Sequence, residues 1–495
     1  MAPLRADQLR QRAAGTARAC LARDGARSLP QRPGGSQKLS AVADRALDIA
    51  ERAWRAAEAD EADAIAHVEQ SGFARFAASE VHQPTLIRDQ TLTLRVVRDG
   101  KVGCAVTNRT DDEGLREAAR RATEAADSAK PDPDYAGLQP ATDVPEVEGF
   151  DEATAALTPE EQAAAAAAAI EAAPNYGVYG YFTSGVTEIA VSSSTGHAVT
   201  QMMTDASVLA IAASDDESGY AEATSWKAGE LDPAAVGSEA AEKAARTRGA
   251  VELEPGTHAA VLEPYAFSEL LWYFGFSSLN ALACLEGRSF FSGRIDEQVF
   301  HESFSLLDDA LDPRALPKSF DFEGAPKQRV TIVENGVAKD VVWDRRTAKR
   351  AADGHASTGH ALSPPAQGFG PLPLNLSVPG GDASRDELVE RIETGIYVTR
   401  LHYLGVVDPR EGIITGMTRD GTFRVEGGKV TKPLVNLRFT TSFPQLVESL
   451  LGLGNDVELV NRSDFYDERY PFGTLVPTVA TAAFTIVGTG SGPGL

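Results

Sequence analysis

Cysteine is scarce in this chain. Cys20, Cys104 and Cys284 are the only three in 495 residues, far apart and without CxxC spacing, which excludes a disulfide framework and a cysteine-built zinc knot. No apolar run reaches the roughly 18 residues that a membrane-crossing helix needs. The N-terminus has no apolar signal core, because Arg5, Arg10, Arg12, Arg18 and Arg23 interrupt it, so a cytoplasmic location is expected. Basic side chains are outnumbered, 47 Lys and Arg against 71 Asp and Glu, giving a formal net charge of −24. A surface that acidic repels a phosphate backbone and argues against nucleic acid as a partner. Histidine is thin too: eight in all, and none between His258 and His301. That gap covers the stretch Ala260 to Phe291, which reads as a strand, a proline turn, a helix and a second helical segment. The helix carries Trp272, Tyr273, Phe274 and Phe276. Catalytic zinc takes three ligands from His, Asp, Glu or Cys and keeps one position open, and an aromatic helix cannot supply them.

What is present is ordinary for a globular protein: 43% hydrophobic and 24% charged residues, at a length that predicts two or three domains. Residues 1–36 are Arg-rich and close on Pro30, Pro33, Gly34 and Gly35, the composition of a disordered extension. An amphipathic helix is expected over Ser40 to Glu58 (Val42, Ala46, Ile49, Ala53, Trp54). Thr91 to Val96 alternates as a half-buried strand, Asp99-Gly100 offers a two-residue turn, and Lys101 to Thr107 returns. Thr110 with Glu113 reads as a capping box. These elements make an N-terminal α+β domain over 37–130. A Pro- and Gly-rich linker spans 131–156. A central unit over 157–250 holds an alanine helix capped by Thr158 and Glu161, then short strands near 177–184, 186–193, 197–204, 207–213 and 219–226. Residues 251–495 form a β-rich C-terminal domain with a helix near 441–452 and a long irregular stretch, Asp353 to Ser384. The expected fold class is α+β, with a hairpin-containing N-terminal sheet followed by a large, mostly antiparallel C-terminal part with a few helices.

Several residues invite a chemical reading. His355 and His360 are the only close histidine pair, but Gly354, Gly359, Pro364 and Pro365 make their segment a loop. No glutamate follows His355 to act as a base. A substrate contact suits them better than a metal, because long loops on β scaffolds tend to line sites. Ser277, Ser292 and Ser357 lack a GxSxG elbow, and Gly380-Gly381-Asp382 lacks a phosphate-loop pattern. Cys284 reads as a buried, inert thiol. Arg400 and His402 alternate onto one face of the strand Ile396 to Leu404, with Thr399, Leu401 and Tyr403 on the other. The first pair either grips a peptide carboxylate or forms an exposed polar sheet face. Trp272, Phe274 and Phe276 read as core or subunit interface.

Several phrases, in order, carry a resemblance: LRVVRDGKVGCAVT, then VLEP and EGRSFFSGRI, then STGHA, NLSVPGG, GIYVTRLHYLGVVDPREGIITG, FRVEGGKVTKPL and GLGNDVEL. From about residue 40 to the end, the chain resembles the TldD/PmbA (modulator of DNA gyrase) metalloprotease family. That family has members with HExxxH on the central helix plus a cysteine near the C-terminus, and members lacking both. Counted from Pro264, the motif would fall near Trp272, Tyr273 and Ser277, and the nearest glutamate is Glu269. The cysteine is expected at Val460 to Asp464, where none stands. The resemblance therefore implies a PmbA/TldE-like subunit with no catalytic residue and no metal of its own. Zinc is expected in an HExxxH-containing TldD-like partner, the two forming a heterodimer that degrades or processes unfolded peptides. Leader-peptide trimming and peptide natural-product maturation fall within that range. The alternative is a stand-alone peptide-binding homodimer without protease activity.

Overall fold

The computed structural model describes residues 45–463 and 468–490, so the extension expected at 1–36 lies outside the described residues. The first element is α1 (Arg45–Arg55), which buries Ala46, Ile49, Ala50 and Ala53. Of the helix expected over Ser40 to Glu58, residues 40–44 lie outside the described residues, and the helix ends at Arg55, three residues before the expected end.

A six-stranded antiparallel sheet follows, made of β1 (Glu61–Ala77), β2 (Glu80–Arg98), β3 (Lys101–Thr107), β4 (Gly177–Ser193), β5 (Ala198–Ala213) and β6 (Ser218–Ser225). Their order is β3-β2-β1-β4-β5-β6. The segments 37–130 and 157–250 thus contribute to one sheet, with β1 paired to β4 along most of its length. The expected hairpin turn is present, and Asp99 and Gly100 take φ of 51° and 71°, as a primed turn requires. Helix α2 (Asp112–Ser128) starts one residue later than its expected cap. Asp111, not Thr110, accepts the N–H of Gly114 at 2.7 Å; a carboxylate also complements the helix N-terminus better than a hydroxyl. The short α3 (Glu152–Ala155) precedes α4 (Pro159–Glu171), whose Thr158–Glu161 capping box forms as expected. α5 (Pro233–Ala245) crosses α4 so closely that a Cβ on Gly237 would lie 2.0 Å from Ala169 O.

Five short strands expected between 177 and 226 are three long ones. The apparent turn residues Ser184-Gly185 and Asp205-Ala206 sit in mid-strand, facing one another across β4 and β5. Their side chains serve tertiary contacts instead of turns. Even-numbered β1 residues (Ala62, Ala64, Ala66, Ala74, Phe76) pack with the helices. Odd-numbered ones (Asp63, His67, Glu69, Ser71) are polar and yet buried, which calls for partners from elsewhere in the chain.

Asp63 finds Arg95 of β2, but the partners of His67, Glu69 and Ser71 come from the C-terminal region. There β7 (Gly256–Leu262), β12 (Thr394–Asp408), β13 (Ile413–Glu426), β15 (Leu437–Ser442) and β19 (Val479–Thr489) pair in the cycle β12-β7-β19-β15-β13-β12, a closed barrel. β14 (Lys429–Pro433) is attached to β13 and β16 (Leu450–Leu453) to β19. A third sheet has the order β10-β9-β8-β11-β18-β17. It comprises β8 (Leu306–Asp309), β9 (Arg329–Glu334), β10 (Val337–Ala338), β11 (Leu376–Ser377), β17 (Glu458–Asn461) and β18 (Gly473–Val476).

Helix α6 (Pro264–Ser278) leaves β7 through a proline at its first turn. It packs into a core of Phe267, Phe274, Phe290, Phe291, Phe300, Phe304 and Phe443. Four smaller helices complete the set: α7 (Ala281–Leu285), α8 (Arg345–Ala351), α9 (Arg385–Ile392) and α10 (Phe443–Glu448). The helix expected over 441–452 is only α10, because Leu450–Leu453 leaves it to pair with β19. The protein is therefore α+β, and its C-terminal part is dominated by antiparallel strands.

Candidate functional site

Helix α6 buries Phe267, Leu270, Leu271, Phe274 and Ser278 and leaves Glu269, Trp272, Tyr273, Phe276 and Ser277 partly or wholly exposed. The i, i+3, i+4, i+7, i+8 spacing makes the second set one stripe. Trp272, Phe274 and Phe276 consequently do not act together, since alternate helical residues point to different sides. Phe274 is fully buried and stacks on Phe443 at 4.4 Å. Trp272 lies against Phe472 at 5.2 Å, and Phe276 is 39% exposed.

Arg462, the residue after β17, lies on this stripe. Its backbone N–H donates to Phe472 O at 3.0 Å, its Nε donates to Ser268 Oγ at 2.8 Å, and its Nη1 lies 2.7 Å from Glu269 Oε1. Ser268 also bonds Thr474. The segment after Arg462 reaches the six-stranded sheet. Arg469, 1% exposed, pairs with Asp205 through Nε (2.7 Å) and Nη2 (2.6 Å). It lies over Gly185, where a Cβ would come within 2.7 Å of its Nε. Its carbonyl accepts from Thr187 and bonds His67 Nε2. This accounts for His67, Thr187 and Asp205 on the buried polar face of the sheet.

Beside α6, the sheet edge β6 supplies Tyr220 and Glu222. Tyr220 donates its hydroxyl to Glu222 Oε2 at 2.7 Å, while Glu222 Oε1 is buried without a partner among the described residues. Burial pushes the Glu222 carboxyl up, against the pull of Arg462 and Arg400. Arg400 covers the Tyr220 ring at 3.9 Å and donates to Asp420 Oδ2 at 2.5 Å. Arg419 stands directly opposite Arg400 in the β12–β13 register. His402 follows on the same face and is held near pKa 4, by burial first and then by Arg400 and Arg419. It is therefore a neutral imidazole at neutral pH. Tyr403 is not on the face alternation predicts. Its φ of 53° and a register shift after His402 turn it outward, 78% exposed, so a bulge overrides the period-two pattern.

The other expected site residues lie elsewhere. His360 is 1% exposed, bonded to Asp308 Oδ1 at 2.9 Å and Thr358 Oγ1 at 2.9 Å. Burial lowers its pKa, and it holds the loop in place, out of reach of a substrate. His355 stacks on Trp343 at 3.9 Å and pairs with Asp353. Neither joins Arg400 and His402 in the cluster. Burial raises the Cys284 thiol to about 11, consistent with an inert cysteine. Sequence reasoning missed Arg462, Arg469, Arg419, Asp420 and Glu222. Arg462 did carry a signal, because it stands in the Val460–Asp464 segment where a cysteine was sought.

A metal does not fit this site. Among the described residues no three His, Cys, Asp or Glu side chains converge to hold one. The α6 stripe offers an indole, a phenol, a phenyl ring and a hydroxyl. Its one carboxylate, Glu269, already faces a guanidinium that would repel a divalent cation.

A continuous antiparallel sheet and a closed barrel, joined where Arg400 of β12 covers Tyr220 of β6, form a composite fold that divides as known families divide. Residues 62–126, 152–248 and 255–488 match the first, central and C-terminal domains described for PmbA/TldA metallopeptidases. The chain belongs to the PmbA/TldD metallopeptidase family. It is 28% identical over 232 residues to a protein named a metalloprotease from Methanothermobacter thermautotrophicus, covering 45% of this chain and 48% of that one. It is 24% identical over 212 residues to a TldD homologue of Buchnera aphidicola, covering 41% and 42%. The chain spans about half the length of the curated relatives it matches. Among solved structures, TldE from Thermococcus kodakarensis superposes with a TM-score of 0.79 at 18% identity, covering 89% of this chain and 99% of that one. A Thermotoga maritima protein described as a modulator of a DNA gyrase gives 0.75 at 20% identity, covering 91% and 100%. At these identities the likeness is one of fold. No helix among the described residues is long and apolar enough to cross a membrane.

Proposed function

We propose that this chain is the non-catalytic, TldE-like subunit of a heterodimeric metallopeptidase that processes unfolded peptides. A TldD-like partner carrying HExxxH supplies the zinc, and this chain supplies a wall of the peptide chamber. The observation behind this reading is the ion pair of Arg462 with Glu269 on the α6 stripe. It puts a fixed positive charge, and no metal ligand, where a catalytic relative carries its ligands. A zinc peptidase needs an open coordination position and a water of lowered pKa, and the side chains here provide neither. The partner's zinc, the heterodimer and the peptide substrate all belong to this proposal.

The test is peptide hydrolysis and metal content for the chain alone, for an HExxxH relative from the same genome alone, and for the two mixed. The expected result is no turnover and no stoichiometric zinc for the chain alone, with turnover in the mixture exceeding that of the relative alone. One tightly held zinc per chain, or chelator-sensitive hydrolysis by the chain alone, would overturn the reading. Binding of peptide by a self-associated chain that never pairs with the relative would favour the homodimer instead.

A further inference from the structure

The guanidinium of Arg419 is the uncommitted charge in the cluster beside α6. Its side chain is only 18% exposed, yet it makes no hydrogen bond to any described residue. Its one ion pair is with Asp420 Oδ1 at 3.8 Å, beyond hydrogen-bond reach. The neighbouring arginines are occupied: Arg400 by Asp420 and the Tyr220 ring, Arg462 by Glu269 and Ser268. Arg400 and Arg419 also face each other directly across two strands, an arrangement that is destabilising unless an anion bridges it. Asp420 is the carboxylate set between the two, and it bonds Arg400 at 2.5 Å while standing 3.8 Å from Arg419. The next residue on this face, His402, is uncharged at neutral pH and can add a hydrogen bond without adding charge.

The backbone beside this charge is shaped as well. The bulge after His402 holds Tyr403 in a left-handed conformation with its side chain exposed, and the His402 and Tyr403 rings lie 4.3 Å apart. A non-glycine residue at positive φ, one position beyond His402, is the kind of local strain that accompanies ligand sites. A planar fork of five donors with no acceptor matches the two oxygens of a carboxylate.

We propose that Arg419, assisted by Arg400 and His402, binds a carboxylate of the peptide substrate, with Tyr403 covering the adjoining residue. The inference rests on the peptide-handling reading above and names the group by which a peptide is held. Two sources share this chemistry, the C-terminal carboxylate and an acidic side chain. A fluorescent unstructured decapeptide without Asp or Glu separates them, made as the free acid, as the C-terminal amide, and as the amide with one internal Glu. Binding to the full chain is followed by anisotropy at neutral pH. The free acid is expected to bind about tenfold tighter than the plain amide, the size of effect a charge-assisted contact gives. In Arg419→Ala and Arg419→Gln that ratio should fall to about one with no fall in melting temperature, because the side chain gives up no internal hydrogen bond and its repulsion with Arg400 is relieved. If the Glu-containing amide matches the acid, the site takes side-chain carboxylates too; if it matches the plain amide, the site is specific for the C-terminus. Equal binding of acid and plain amide by the unaltered chain, or a ratio that survives Arg419→Ala, would overturn the inference and leave peptide binding standing. Absence of binding by all three peptides would remove the peptide reading and this inference with it.

Discussion

Arg462 and Glu269 meet at 2.7 Å and so tie the end of β17 to helix α6 at the point where that helix turns its unburied stripe outward. Arg462 is 11% exposed and Glu269 26%, and Glu222 Oε1 is buried nearby without a partner among the described residues. Removing the guanidinium strands two carboxylates. Arg462→Ala is expected to lose about 2–3 kcal/mol, below the 3–5 of a fully buried pair because water still reaches Glu269. Glu269→Gln should lose about 1 kcal/mol. Urea denaturation of the two single variants and the double should show a coupling of about 1 kcal/mol or more; strict additivity would mean the two side chains act independently.

Much of the scaffold was legible because its local chemistry agrees with its fold. The Asp99-Gly100 turn, the Thr158–Glu161 box and the strand through Arg400 and His402 each follow from residue type and spacing. The errors share one cause. Ser184-Gly185 and Asp205-Ala206 look like turns, but Gly185 makes room for Arg469 and Asp205 pairs with it. That partner lies more than 260 residues away, so no local window reveals it. Trp272, Phe274 and Phe276, read from the sequence as core or interface, divide by the 3.6-residue period, with Phe274 buried and Phe276 exposed. Arg419 was passed over for a related reason. An unsatisfied donor becomes visible only when every acceptor around it has been placed.

The Arg469–Asp205 pair should behave differently from Arg462–Glu269. Both side chains are 2% exposed, so breaking the pair leaves a charge with little access to water. Asp205→Asn is expected to cost about 3–5 kcal/mol, more than Arg462→Ala. The double variant Asp205→Leu with Arg469→Met should recover a large part of that loss, since apolar replacement of both partners removes the stranded charge. Thermal and urea unfolding of the three variants measure it. A double variant no more stable than Asp205→Asn would show that the hydrogen bonds of Arg469 to Thr183 and Ser71 matter more than the charge.

His402 gives a pH signature. Its folded-state pKa is near 4, below the 6.5 or so of an unfolded histidine. As pH falls below about 6.5, the unfolded chain takes up a proton that the folded chain refuses. Stability contributed by the neutral imidazole is therefore complete above that pH and declines down to about pH 4. Glu323 and Glu458 work in the opposite sense. Burial holds each near pKa 7, so their contribution is present at low pH and fades as pH rises through 7. The clean observable is a difference curve, the melting temperature of the unaltered chain minus that of His402→Asn across pH 4 to 7. It should decline toward acid, and a flat difference would mean that His402 titrates normally.

The aromatic residues of α6 separate packing from assembly. Phe274 is fully buried and stacks with Phe443, with Phe290, Phe291 and Phe300 around it. Phe274→Ala should therefore open a cavity and cost about 3–5 kcal/mol. Phe276, two residues on, is 39% exposed. It shares its outward stripe with Trp272 and Tyr273, and exposed aromatics grouped in this way are the usual anchors of protein interfaces. Phe276→Asp should leave the melting temperature of the isolated chain within a degree or two, as surface changes do. Placed at an interface, the same change would bury an unpaired carboxylate and weaken binding to a TldD-like partner by about 2–4 kcal/mol. Calorimetry on the isolated chain and sedimentation of the mixture provide the two readouts. An isolated Phe276→Asp chain that unfolds many degrees earlier would make this residue part of the core. A stable variant that assembles normally would place the partner surface away from α6.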